Sequence, residues 1–189
     1  LEKKLFLKRT KMKVDLDRVN ANLERVLTQC KWGDRNQIGL RYRYGAEDRW
    51  LDATGSLYDR TTNTKLSSEI EFNQWTIGDD YYIRRSIEKL SERVGQIGRV
   101  RFMRLLPKTG LSVHRDDEIR YHLALKTNPN AYIARASDFV IEQNSPESVV
   151  ATCYHIPADG HWWRVDTREV HWVYNGGNEE RIHLVVCGV

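Results

Sequence analysis

From residue 98 onward the chain is a succession of short alternating apolar and polar runs, each closed by a turn signal. That rhythm constrains the fold more than any other feature. The runs fall at 100–106, 111–116, 121–126, 138–142, 148–156, 160–166, 169–174 and 180–189. Between them stand Pro107-Lys108-Thr109-Gly110, Asn128-Pro129-Asn130, Ala158-Asp159-Gly160 and Asn175-Gly176-Gly177-Asn178. Alternation puts every second side chain on one face, so many short strands at such spacing predict an antiparallel sandwich or jelly roll. Two stretches ahead of this region have helical period instead. Val14, Leu16, Val19, Leu23, Val26 and Leu27 form a stripe over 14–31, and Ile83, Ile87, Leu90 and Val94 form one over 81–94, closed by Gly95 and Gly98. Residues 38–44 read as a strand, and 46–73 as a long polar segment that covers another part of the molecule. The expected class is α+β, mainly β: a jelly-roll core preceded by N-terminal helices.

Charge sets the domain organisation. The formal net charge is +4, and residues 1–11 alone hold five basic groups and one acidic group. The rest of the chain is therefore balanced. We read 1–11 as a basic tail or upstream remnant, with Met12 as a candidate start. Residues 12–189 are read as a single domain whose part 98–188 carries the motifs. A balanced domain makes a nucleic-acid partner unlikely. No apolar stretch approaches the ~20 residues needed to cross a bilayer, and the N-terminal residues do not read as a secretory signal. Three cysteines without CxxC spacing suggest reduced thiols and a cytoplasmic setting.

His114-Arg115-Asp116 stands at the end of a predicted strand, so His114 and Asp116 project to one face. With His171 from a later strand they would form the facial triad of two imidazoles and one carboxylate that holds non-haem Fe(II). Alone, H-x-D recurs by chance, and Asp117 and Glu118 crowd the carboxylate position. Arg120 with His122, and Arg181 with His183, are further i, i+2 pairs, set against Tyr121, Leu123 and Leu125 and against Ile182, Leu184 and Val186 on the opposite faces. An arginine inside a sandwich needs an anion. That anion could be a bound carboxylate or a protein carboxylate; the arginine could also face solvent.

The ordered set His114-Arg115-Asp116, Arg120-Tyr121-His122-Leu123, Val165-Asp166, His171-Trp172-Val173-Tyr174-Asn175 and Arg181-Ile182-His183-Leu184 resembles the aspartyl/asparaginyl β-hydroxylase family over roughly residues 98–188. The resemblance implies a double-stranded β-helix and an Fe(II)- and 2-oxoglutarate-dependent dioxygenase. Such an enzyme hydroxylates an unactivated C–H with O2 and yields succinate and CO2. It implies that His114, Asp116 and His171 bind iron, that Arg181 pairs with the distal carboxylate of 2-oxoglutarate, and that Arg120 and His122 help hold that cosubstrate. The animal branch lacks the metal carboxylate, so Asp116 makes the chain more similar to bacterial and phage-type members. The animal enzyme's helical repeat region has no match in these residues. The substrate is expected to be an amino acid or peptide side chain; the alternatives are another small metabolite, or a jelly-roll module that binds without catalysis. Arg41, Arg43 and Trp163 are candidate substrate contacts, the two arginines with a solvent-facing alternative. Trp172 is expected to pack in the core, His155 and His161 to lie in surface loops, and Asp166 to orient a loop or a ligand histidine, or to cap a turn.

Overall fold

The computed structural model describes residues 5–59, 61–136 and 151–189. The chain opens with strand β1 (Leu7–Lys13) and helix α1 (Leu16–Leu27), followed by the short strands β2 (Gln37–Gly39), β3 (Arg41–Tyr42) and β4 (Gln74–Trp75) and helix α2 (Tyr82–Val94). Then come β5 (Ile97–Leu105), β6 (Thr109–His114), β7 (Arg120–Lys126), β8 (Ala131–Ala136), β9 (Ala151–Tyr154), β10 (His161–Val165), β11 (His171–Asn175) and β12 (Arg181–Gly188). The major sheet has six strands in the order β1-β10-β7-β12-β5-β2, and the minor sheet four in the order β6-β11-β8-β9. All pairings within them are antiparallel. Neighbours so distant in sequence are the topology of a jelly roll.

Each face of the major sheet has its own core. Val100, Phe102, Tyr121, Leu123, Leu125, Trp162, Ile182, Leu184 and Val186 point outward and pack under the helices against Val19, Leu23, Val26, Ile83, Ile87 and Leu90. The alternate residues point inward. There Leu105, Ala124 and Val165 meet Ile133 and Val173 of the minor sheet, with Phe6 and Ile156. The helices thus brace the back of the sheet, and the space between the sheets is left for polar side chains. Helix α1 starts where the Asp15 carboxylate accepts the N–H groups of Asp17 (3.1 Å) and Arg18 (3.2 Å). Helix α2 has no cap of its own; Asn22 of α1 supplies one by accepting the Ile83 N–H at 2.9 Å.

Two elements, β1 and β8, differ from the sequence reading. Leu7–Lys13, which begins inside the expected basic tail and runs past its end, is the edge strand of the major sheet, paired with β10 from Leu7↔Val165 to Lys13↔His161. Lys and Arg on an edge strand discourage further strand pairing, so a charge-rich segment can be both tail-like in composition and ordered. Strand β8 occupies 131–136, where no strand was read; the run expected at 138–142, and the start of the one at 148–156, lie outside the described residues. The segment 46–73 is held onto the sheet at a 3₁₀ turn, Glu69–Glu71. Gly98 makes that approach possible, because a Cβ there would lie 2.5 Å from the Cβ of Glu69. No described helix is long and apolar enough to cross a membrane.

Candidate metal centre

β6 ends at His114, so the strand geometry that aligns His114 with Asp116 stops short of the carboxylate. Asp116 is held instead by its backbone: its N–H donates to the Thr167 carbonyl at 2.9 Å, which ties the loop after β6 to the turn before β11. Asp166 stiffens that turn through ion pairs to Arg168 (2.7 Å) and Arg164 (3.3 Å). It acts on the turn and not on a ligand histidine. His171 opens β11 and is directly paired across strands with His114. Gly110 lets these strands close up, since a Cβ there would lie 2.4 Å from the Val173 carbonyl.

The three side chains converge. One ligand atom from each of His114, Asp116 and His171 lies within 4.8 Å of the others. The imidazole centroids are 4.4 Å apart. Nδ1 of His114 meets the Ser112 carbonyl at 2.6 Å, and Nδ1 of His171 meets the Glu169 carbonyl at 2.8 Å. A carbonyl accepts only, so each Nδ1 carries the proton and each Nε2 keeps a free lone pair. Both Nε2 atoms face Asp116, at 4.0 Å from His114 and 3.7 Å from His171. The Asp116 oxygens divide the work. Oδ1 accepts from Arg120 at 2.5 Å, and Oδ2 is buried with no hydrogen-bond partner. Burial also pushes the His171 pKa below its usual value, which favours the neutral ligand form. Two imidazoles that turn Nε2 inward beside an orphaned carboxylate oxygen fit a divalent metal.

A small inner pocket behind the triad is lined by His122, Arg181, Met103, Ile133, Val173 and Val185. Arg181 is 5% exposed, and among the described residues no carboxylate pairs with it. Its N–H donates to Nδ1 of His183 at 2.9 Å, and His122 Nδ1 lies 3.3 Å from the same atom. Burial pulls the Arg181 pKa down to about 9. Burial, and then the Arg181 charge, hold His122 and His183 well below the usual imidazole value, so both are neutral near pH 7. Among the described residues Arg181 is therefore a buried cation without a paired anion, a costly state unless a ligand brings one.

Arg120, expected on the cosubstrate, lines the same inner pocket and is bound to Asp116. The remaining candidates fall elsewhere. Arg41 donates to the carbonyls of Ile97 and Gly98, and Arg43 pairs with Asp52 at 2.5 Å. Neither arginine lines the cavities around the triad. Trp163 pairs across strands with His122 and Arg9 and packs on the inter-sheet core, whereas Trp162 is fully buried under the helices. Trp172 points away from His171 as expected but joins neither core; it is half-buried on the outer face of the minor sheet. His155 is exposed. His161 opens β10 beside Asp159.

Outside the triad lies a cavity of about 690 Å³ that the sequence reading did not anticipate. Arg99 and Arg101 of β5 form its floor, and Gly55, Ser56, Leu57 and Tyr58 of the long segment close one side. Arg99 is locked to Glu69 at 2.7 Å. Tyr58 and Lys65 both donate to Oδ2 of Asp117, at 2.6 and 2.8 Å, which fastens the segment to the loop that carries Asp116.

Comparison with known proteins agrees with this architecture. The family model described as aspartyl/asparaginyl beta-hydroxylase matches residues 82–188, more than half of the chain. Among solved structures, an oxidoreductase of the 2OG-Fe(II) oxygenase family from Burkholderia pseudomallei is similar at 15% identity. The match covers 97% of this chain and 84% of that one, with a TM-score of 0.52. AviO1 from Streptomyces viridochromogenes matches at 14% identity over 95% of this chain and 87% of its own, TM-score 0.52. SnoK, a non-haem alpha-ketoglutarate-dependent carbocyclase from nogalamycin biosynthesis, matches at 13% over 96% and 79%, TM-score 0.53. No curated protein sequence matches significantly. At these identities the structural likeness concerns the fold.

Proposed function

Because the chain belongs to the aspartyl/asparaginyl β-hydroxylase family of oxygenases, we propose that it is an Fe(II)- and 2-oxoglutarate-dependent hydroxylase. In this reading it acts on an unactivated C–H of an amino acid or a peptide side chain. The observation that carries the reading is the pairing of two features in one pocket: a donor set of two imidazoles and an unsatisfied carboxylate oxygen, and the buried Arg181, which has no acid partner among the described residues.

His114, Asp116 and His171 would hold the metal through Nε2, Oδ2 and Nε2. When bound, Fe(II) with 2-oxoglutarate and O2 supplies the oxidising chemistry, with succinate and CO2 as coproducts. The protein contributes charge neutralisation and exclusion of water. Arg181 would meet the distal carboxylate of the oxoacid with its fork of donors. His122 and His183, kept neutral, add no second positive charge beside it. Met103, Leu111, Ile133, Val173 and Val185 give the inner pocket apolar walls that keep bulk water from the reacting centre. No side chain is assigned as acid or base, because replacing C–H by C–OH through the metal centre calls for none.

The test is anaerobic titration of metal-free protein with Fe(II) and then 2-oxoglutarate, reading the weak visible charge-transfer band of the chelate. The band should form in the wild type and vanish in His171→Ala. A folded, metal-loaded wild type without the band would sink this reading in favour of a non-catalytic binding module.

A further inference from the structure

Arg101 is 1% exposed and lines the outer cavity beside the metal site. It is one of three inward-lying guanidiniums that line the cavity, and each of the other two has a carboxylate partner, although the Nε of Arg120 is also buried without a hydrogen bond. Arg99 holds both oxygens of Glu69, through Nε at 3.0 and 3.1 Å and Nη2 at 2.7 Å. Arg120 holds Asp116. Among the described residues Arg101 hydrogen-bonds only neutral groups: Nη1 donates to Gln37 Oε1 at 3.1 Å and, weakly, to the Gly55 carbonyl at 3.5 Å. Nη2 faces the Cys187 sulfur at 3.8 Å. Its Nε is buried with no hydrogen-bond partner. Cys187 is no counter-ion, since burial pushes its thiol pKa up and keeps it protonated. Among the inward-lying groups, Arg99, Arg101 and Arg120 therefore outnumber the paired carboxylates Glu69 and Asp116 by one, and the unmatched guanidinium has a free donor beside a cavity of small-molecule size.

We propose that Arg101 anchors a carboxylate of the molecule to be oxidised, and that the substrate is a small carboxylic acid seated in the outer cavity with its reacting carbon toward His114 and Asp116. This rests on the reading that the inner pocket takes 2-oxoglutarate; Arg181 serves that cosubstrate and Arg101 the substrate. The chemistry favours a carboxylate over a phosphate. Arg101 has already committed Nη1 to Gln37, and its open edge suits a compact monoanion better than a dianion that needs several full donors. Burial without a partner pulls the Arg101 pKa down to about 10, so an arriving anion would restore what the site lacks.

The experiment uses the full chain loaded anaerobically with Fe(II) and 2-oxoglutarate. The standard amino acids, simple aliphatic monocarboxylic acids and their carboxamides are titrated in, with perturbation of the chelate band and calorimetry as readouts. At least one acid should bind, and its carboxamide should bind about tenfold more weakly or worse. Arg101→Lys should lose a similar factor for the acid, and Arg101→Gln more, while both keep wild-type affinity for 2-oxoglutarate. The comparison of acid with amide needs no variant, so it stands even if Arg101→Gln fails to fold. Equal binding of acid and amide, silence of every acid, or full affinity in Arg101→Lys overturns the proposal. So does inorganic phosphate that occupies the site more tightly than any acid. A normal chelate band accompanying any of these leaves the proposed function standing; absence of the band in the wild type removes both.

Discussion

Arg120 takes one oxygen of Asp116 at 2.5 Å and leaves the other, buried and unpartnered, turned toward His171. The arginine thereby orients the carboxylate for a metal. Arg120→Met should preserve the fold but weaken Fe(II) binding by about 10- to 100-fold, the usual effect of removing a group that positions a metal ligand. Metal titration of the two proteins checks this. An unchanged affinity would mean that Thr167 alone fixes the loop.

Arg181 has the opposite role, a buried cation for which no described residue provides an acid. Arg181→Ala should weaken 2-oxoglutarate binding by about 2–5 kcal/mol and leave metal affinity near the wild-type value. Calorimetry with the metal-loaded protein separates the two effects.

His122 and His183 give the metal-free protein an acid weakness. Arg181 faces the pair, with Arg120, Arg101, His171 and His155 contributing from neighbouring elements. Their pKa values are depressed in the folded state by burial and by Arg181. Below the ordinary imidazole value of about 6.5 the unfolded chain binds more protons than the folded one. Their stabilising contribution is thus complete above that pH and is lost as pH falls toward the folded values. Stability should drop by about 1 kcal/mol per pH unit for each histidine between about pH 6 and 5. Urea unfolding across that range should show the slope, and His183→Gln should reduce it.

Glu69 is held far below its usual range, at about 2. Burial would raise its carboxyl, but the hydrogen bonds and charge of Arg99 outweigh that. Glu69→Gln leaves Arg99 buried without its anion and should cost about 3–5 kcal/mol, read as a lower urea midpoint. Because Glu69 also pins the long segment, amide exchange at residues 55–58 should accelerate well beyond the global change.

The sequence carried the helices and most of the sheet clearly, because their apolar residues recur at one period and fall on one core. It carried the triad less directly. The alternation argument aligned His114 with Asp116, yet β6 stops at His114, and the true constraint is a bond to Thr167, some fifty residues later in the chain. Arg99 and Arg101 were within reach: in Arg99-Val100-Arg101-Phe102-Met103 the apolar half of the alternation was read as core, and the other half belongs to the inner face just as surely. Glu69 was not within reach, since nothing local marks a glutamate in a polar stretch as the partner of an arginine on β5. β8 (AYIARA) was missed because alanines and Arg135 blur its alternation, and its pairing with β11 supplies what its own residues do not.

The opening strand has a reach that its charge conceals. Phe6 is 2% exposed, its carbonyl accepts the Asp166 N–H at 2.8 Å, and its ring stands 6.4 Å from that of His171 and 5.3 Å from that of Tyr154. It is a wedge driven between the last strand before the metal turn and the first strand after it. A protease or an expression boundary that removed everything up to Lys11 would cut nothing that touches metal, yet it would pull the wedge. The ligand histidine would lose its backing, and iron affinity would become a sensitive report on whether the first dozen residues are present.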